Sequence, residues 1–255
     1  MCTLVVLHRP GHPWPLLLAA NRDEMLERAW DAPGAHWPQL PGVIGGRDHL
    51  AGGTWLAINR AGVVAAVLNR QGSLGPKLGK RSRGELPLLA LAEDTAEAAA
   101  AVITRLDAGE WRRFNMVIAD RSGAFFIRGL ATGAPHAERL VPGLGPGLGP
   151  GLVPGLVMVT ARDPNDLSSP RVARHLPRLA AAAAPVPPDD WESWRTILAD
   201  RSGAVESQFN IVPQGGFGTV CSSLIALSAR GAPIWLFAPG PPDSAAFSPV
   251  ALGER

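Results

Sequence analysis

The chain has 255 residues, 46% of them hydrophobic, with a net charge of +2; this is enough apolar material for a sizeable core and excludes a disordered or fibrous protein. Basic residues are nearly all arginine, spread along the chain among acids, which argues against a nucleic-acid surface. Only Lys77, Lys80, Arg81 and Arg83 cluster, and they read as a solvated loop in preference to an anion site. No apolar stretch reaches the roughly 18 to 20 residues of a membrane span. Leu16 to Ala20, bracketed by Pro15 and Asn21, is too short for a signal-peptide core, so the sequence points to the cytoplasm. In that reducing compartment Cys2 and Cys221 are expected as free thiols.

The apolar runs Leu4 to Leu7 and Leu16 to Ala20 flank a segment dense in turn residues and predict a hairpin. Centring its turn gives facing residues a sum near 23, which sets Cys2 opposite about Asn21 and brings the run Asn21-Arg22-Asp23-Glu24 beside the chain start. Thr54 to Ile58 and Val63 to Leu68 predict a second hairpin, with Asn69 opposite Gly52 and Gly53, where two glycines permit a close backbone approach. Ser82 with Glu85, and Asp94 with Glu97, predict capping boxes ahead of helices over Leu86 to Glu93 and Ala98 to Leu106. Phe114 to Ala119 with Ala124 to Arg128 form a third hairpin.

Gly143 to Gly155 repeats Gly-Leu-Gly-Pro units and reads as an irregular surface loop. Helices follow over Pro170 to Ala184 and Asp189 to Ala199, the second carrying Trp191 and Trp194 on one face as core packing. A glycine-rich entry holding Cys221 leads into a last hairpin, Ser222 to Leu227 with Pro233 to Ala238. The six histidines show no zinc spacing. Hairpins alternating with helices predict one α+β domain over residues 1–255, with two antiparallel sheets and helices on their outer faces.

Chemistry concentrates at the start. Residue 2 is small enough for Met1 to be removed, which leaves Cys2 with its thiol and a free α-amine on one residue. With reference pKa values of about 7.7 to 8.0 for the amine and about 8.5 for the thiol, the amine can serve as the base for the attacking sulfur. Such a site needs a cation, an anion and an oxyanion donor. On a regular strand Asn21 and Asp23 share one face and Arg22 and Glu24 the other, so Asn21 and Asp23 are placed in the site, and Arg22 enters it if the chain turns. Asn69 is the candidate oxyanion donor. The competing readings are an inert Cys2 and a structural salt-bridge cluster at a strand end.

Met1-Cys2-Thr3, Asn21 to Glu24, Gly45-Gly46-Arg47-Asp48, Gly52-Gly53-Thr54-Trp55-Leu56 and Gly218-Thr219 with Ser222-Ser223 together resemble the NRDE family, also called the transport and Golgi organisation protein 2 family. The resemblance runs from Met1 to about Val250. It implies a four-layer αββα sandwich of the N-terminal-nucleophile hydrolase kind, as in penicillin V acylases and bile salt hydrolases, with Cys2 as nucleophile. It also implies that Glu24, Arg47, Asp48, Thr54 and Trp55 line a ligand site. Those hydrolases carry an arginine and an aspartate three residues apart, where Arg22 and Asp23 adjoin, and a later asparagine where this chain reads Met158 to Asp163. Many relatives follow Gly-Thr with arginine, where this chain has Val220. The resemblance thus implies an amidohydrolase of small amides needing no cofactor, or, from the animal relatives, a non-catalytic carrier of haem or an acyl-type ligand.

Overall fold

A computed structural model describes residues 2–140 and 153–253. In chain order the strands are β1 (Thr3–His8), β2 (Leu16–Met25), β3 (Trp30–Gly34), β4 (Ile44–Asp48), β5 (Leu56–Ile58) and β6 (Val64–Asn69), before helices α1 (Glu85–Ala90) and α2 (Ala96–Thr104). There follow β7 (Phe114–Ala119), β8 (Ala124–Gly129), β9 (His136–Arg139), β10 (Leu156–Val159), α3 (Pro170–Ala181) and α4 (Glu192–Leu198), and then β11 (Phe217–Leu227), β12 (Ile234–Ala238) and β13 (Ser248–Pro249). Of the expected irregular loop, the part from Gly143 to Leu152 lies outside the described residues.

The chain divides into two compact units, Met1–Glu27 with Val141–Val250, and Arg28–Leu140 with Ala251–Arg255. Each holds one antiparallel sheet. In the first unit the strand order is β10-β1-β2-β11-β12-β13, and in the second β3-β4-β5-β6-β7-β8-β9. The α+β class and the antiparallel pairing are those predicted from the sequence.

In the first unit, Val5, Leu7, Leu17, Ala19, Leu224 and Ala226 point from one sheet face into a core closed by Val172, Leu176 and Leu179 of α3 and by Trp194, Ile197 and Leu198 of α4. The predicted tryptophan pair belongs to this core, with Trp191 and Trp194 ring centres 6.5 Å apart. Leu4, Val6, Leu16 and Leu18 on the opposite face are also buried, which is why these strands read as continuous apolar runs instead of alternating ones. At the sheet edge Asn165, in the left-handed region at φ 56°, folds back on β10: its amide oxygen accepts from the Met158 N–H at 2.8 Å and its own N–H donates to the Met158 carbonyl at 2.9 Å.

In the second unit α1 and α2 cover the face of β5 to β8 that carries Ala57, Ala65, Val67, Phe114, Met116 and Ile118. The caps differ from expectation by one or two residues. Thr95, not Asp94, caps α2 by accepting from Ala98 N–H, while Ser82 accepts from Gly84 N–H in the turn before α1. Helices α3 and α4 are also shorter than predicted, ending at Ala181 and Leu198. The pairing of Asn69 with Gly52 and Gly53 is not formed, since β5 begins only at Leu56; Gly53 instead packs on Gly84, whose carbonyl carbon would stand 2.4 Å from a Cβ there.

Candidate active site

The hairpin that opens the chain has Thr3 opposite Asn21, so facing residues sum to 24 and not 23. This single-residue correction decides the faces, because a slip of one exchanges every side chain across the sheet. Continuing the register by one residue sets Cys2 opposite Arg22, which pairs on its other side with Cys221 of β11. Cys2, Arg22 and Cys221 thus form a row across three strands on one face, and Arg22 joins Cys2 with no turn of the chain. Thr3, Asn21, Asp23 and Ser222 lie on the opposite face, toward α3 and α4. A bulge between Thr219 and Cys221 adds one residue, and by it Thr219 also reaches that face, opposite Asp23.

The side chains of Asn21 and Asp23 are held on the helical side. The Asn21 amide donates to the carbonyls of Leu198 and Phe209 at 3.0 and 3.1 Å, and its oxygen accepts from the Ser222 hydroxyl at 2.7 Å. Asn21 therefore ties β2 to the end of α4 and to β11. The Asp23 carboxylate accepts from the Thr219 hydroxyl at 2.7 Å and from the Arg171 guanidinium at 2.9 Å, and Arg171 also donates to the Thr3 hydroxyl at 2.7 Å. Both charged side chains are at most 4% exposed, and removing one partner of such a pair costs about 3–5 kcal/mol because the other charge stays buried.

Asp23 meets Cys2 through its backbone: the thiol donates to the Asp23 carbonyl at 3.8 Å. Cys2 is partly exposed and Cys221 buried, and both are free thiols. Burial pushes the Cys2 thiol up; the Asp23 carboxylate adds to the rise, and the Asp23 carbonyl contact and Arg22 oppose it. Burial pushes the Cys221 thiol up as well. Of the two, Cys2 is the more exposed. Antiparallel pairing of β1 with β10 sets Leu4 opposite Val159, where β10 ends and the chain bends at Thr160 and Ala161.

The remaining predicted residues have local partners. Glu24 accepts from the Met25 N–H. In the second unit Arg47 donates to Asp31, Asp48 pairs with Arg28 at 2.6 Å, Thr54 bonds the Leu56 backbone, and Trp55 meets Trp30 edge to face at 5.8 Å. Asn69 ends β6 opposite Phe114, on the sheet face that carries the second core. Sequence reasoning missed Arg171, Thr219 and Ser222 as partners of the tetrad. A signal for Arg171 existed: a cation in the first turn of a helix opposes the helix dipole and calls for an anionic partner. Among the described residues no group of three His, Cys, Asp or Glu side chains is arranged to hold a metal, and no helix is long and apolar enough to cross a membrane.

Two antiparallel sheets, each with its own helices, are a fold that this chain shares with several solved structures. Solved structures with this fold include the Caenorhabditis elegans N-acylethanolamine-hydrolyzing acid amidase ortholog, 11% identical with a TM-score of 0.54 over 88% of this chain and 92% of that one. Penicillin V acylase from Agrobacterium tumefaciens is 15% identical with a TM-score of 0.54 over 93% and 83%. A mutant conjugated bile acid hydrolase from Clostridium perfringens is 12% identical with a TM-score of 0.50 over 98% and 97%. No curated protein matches by sequence. The family model for Transport and Golgi organisation 2 matches residues 1–144, and the chain belongs to that family.

Proposed function

We propose that this protein is a cytoplasmic amidohydrolase that attacks a small amide through Cys2 once Met1 has been removed. The observation that carries the reading is the placement of the only partly exposed thiol at residue 2, on the Asp23 carbonyl and in one row with Arg22, in a fold shared with an amidase, an acylase and a bile acid hydrolase. In this reading the Cys2 α-amine takes the thiol proton, the sulfur bonds to the acyl carbon, and the C–N bond breaks as the proton passes to the leaving amine. Water then cleaves the thioester, which releases the acid and restores the thiol. Arg22 favours the thiolate, and no cofactor is needed.

The test is incubation of the mature protein with a panel of N-acyl amides, followed by intact mass. An acyl group on Cys2 with turnover, both lost in Cys2→Ala, is the expected result. Retention of Met1 in the purified protein, or neither adduct nor turnover across the panel, would sink it. The raised Cys2 thiol favours a second reading, a carrier of haem or an acyl-type ligand on the same fold. That reading requires saturable binding that survives Cys2→Ala.

A further inference from the structure

We propose that Arg171 is a positioning residue for Cys2: from the first turn of α3 its guanidinium clamps Thr3 to Asp23 and neutralises the Asp23 carboxylate beneath the thiol. The inference rests on the reading of Cys2 as nucleophile. Thr3 is the residue after Cys2, and Asp23 supplies the carbonyl on which the thiol rests. Arg171 bonds both side chains, at 2.7 and 2.9 Å, and so fixes β1 against β2 at the one level where the thiol meets its partner.

The Asp23 carboxylate has its other oxygen on Thr219, whose hydroxyl is itself fixed by the Ile211 N–H at 2.8 Å. The carboxylate cannot rotate away, and its charge is answered from α3. The charged and titratable groups around Cys2 are its own α-amine once Met1 is removed, Arg22 and Asp23 of β2 and Cys221 of β11. Asp23 is the anion of this set that works against the thiolate, and Arg171 offsets it in a setting too dry for solvent to do so.

The experiment follows iodoacetamide labelling of Cys2 against pH, by peptide mapping of the protein lacking Met1, beside a thermal melt. Arg171→Met should move the labelling profile to higher pH, with the rate at pH 7 down about tenfold, equivalent to about one pKa unit. Arg171→Lys should recover most of the rate, and Arg171→Met combined with Asp23→Asn should also recover it, since no anion is left to answer. A lower melting temperature with a labelling profile superimposable on wild type would overturn the proposal and leave Arg171 as a structural clamp. Should Arg171→Met fail to fold, Asp23→Asn alone carries the test: it must shift the profile to lower pH, and an unmoved profile overturns the proposal. A wild-type Cys2 that labels no faster than Cys221 at any pH overturns the nucleophile reading itself, a separate outcome.

Discussion

Replacing Asn21 by alanine removes the amide that joins β2 to the end of α4 and to β11. Three hydrogen bonds disappear, to the Leu198 carbonyl, the Phe209 carbonyl and the Ser222 hydroxyl, and Asn21 itself is 1% exposed, so water does not replace them. Each of the three partner groups left buried without a hydrogen bond costs about 1–3 kcal/mol, so the loss is about 3–9 kcal/mol. At about 2–4 °C per kcal/mol for a chain of this size, the midpoint should fall by about 6–36 °C. Differential scanning calorimetry of Asn21→Ala, Ser222→Ala and the double variant measures this. In the Asn21→Ala background Ser222→Ala should cost little, because its partner is already gone. A midpoint within about 2 °C of wild type, together with lost Cys2 reactivity, would refute this account and return Asn21 to the catalytic machinery.

His175 supplies a pH prediction. Its ring is buried, with Nε2 on the Ser207 carbonyl at 2.8 Å and Nδ1 accepting from Arg178 at 3.1 Å, and burial with the neighbouring guanidinium holds its pKa near about 4. The folded state binds this proton less readily than the unfolded chain, so stability should fall as pH drops from about 6.5 toward about 4 and be unaffected by His175 above that window. Urea melts at pH 7 and pH 4.5 should show a smaller drop for His175→Gln than for wild type; equal drops would reject the assignment. The two thiols supply another prediction: iodoacetamide should label Cys2 in the native protein, faster as pH rises, and Cys221 only after unfolding, because Cys221 is 1% exposed. Peptide mapping decides this, and equal native labelling would mean that the row of Cys2, Arg22 and Cys221 is wrongly drawn.

The hairpins were legible where apolar runs ended in turn residues, as for β1 with β2 and for β7 with β8. The α+β class followed from them. Strand β4 was not legible, because glycine is depleted from strands and Ile44–Asp48 contains two. The fold places them there for space: a Cβ on Gly45 would stand 2.5 Å from that of Ala57, and one on Gly46 would stand 2.2 Å from the Trp55 ring. The first half of β11 was hidden in the same way, since its glycine-rich approach reads as loop, yet it is the stretch that pairs with the tetrad.

Cys2 and the tetrad were brought together correctly, but their faces were not. A connection of seven residues leaves the register uncertain by one, and that one residue decides whether Arg22 or Asp23 shares the thiol's side of the sheet. Partners such as Arg171, 148 residues from Asp23, lie beyond any local pattern.

Strand β10 stands at the margin of the first sheet, and an open margin is a template on which another chain can build. By pinning both outward backbone groups of Met158, Asn165 closes that template from within its own chain. The strand that flanks β1 is thereby denied to foreign strands at this level. A second chain could pair with β10 at Met158 only by first displacing this turn.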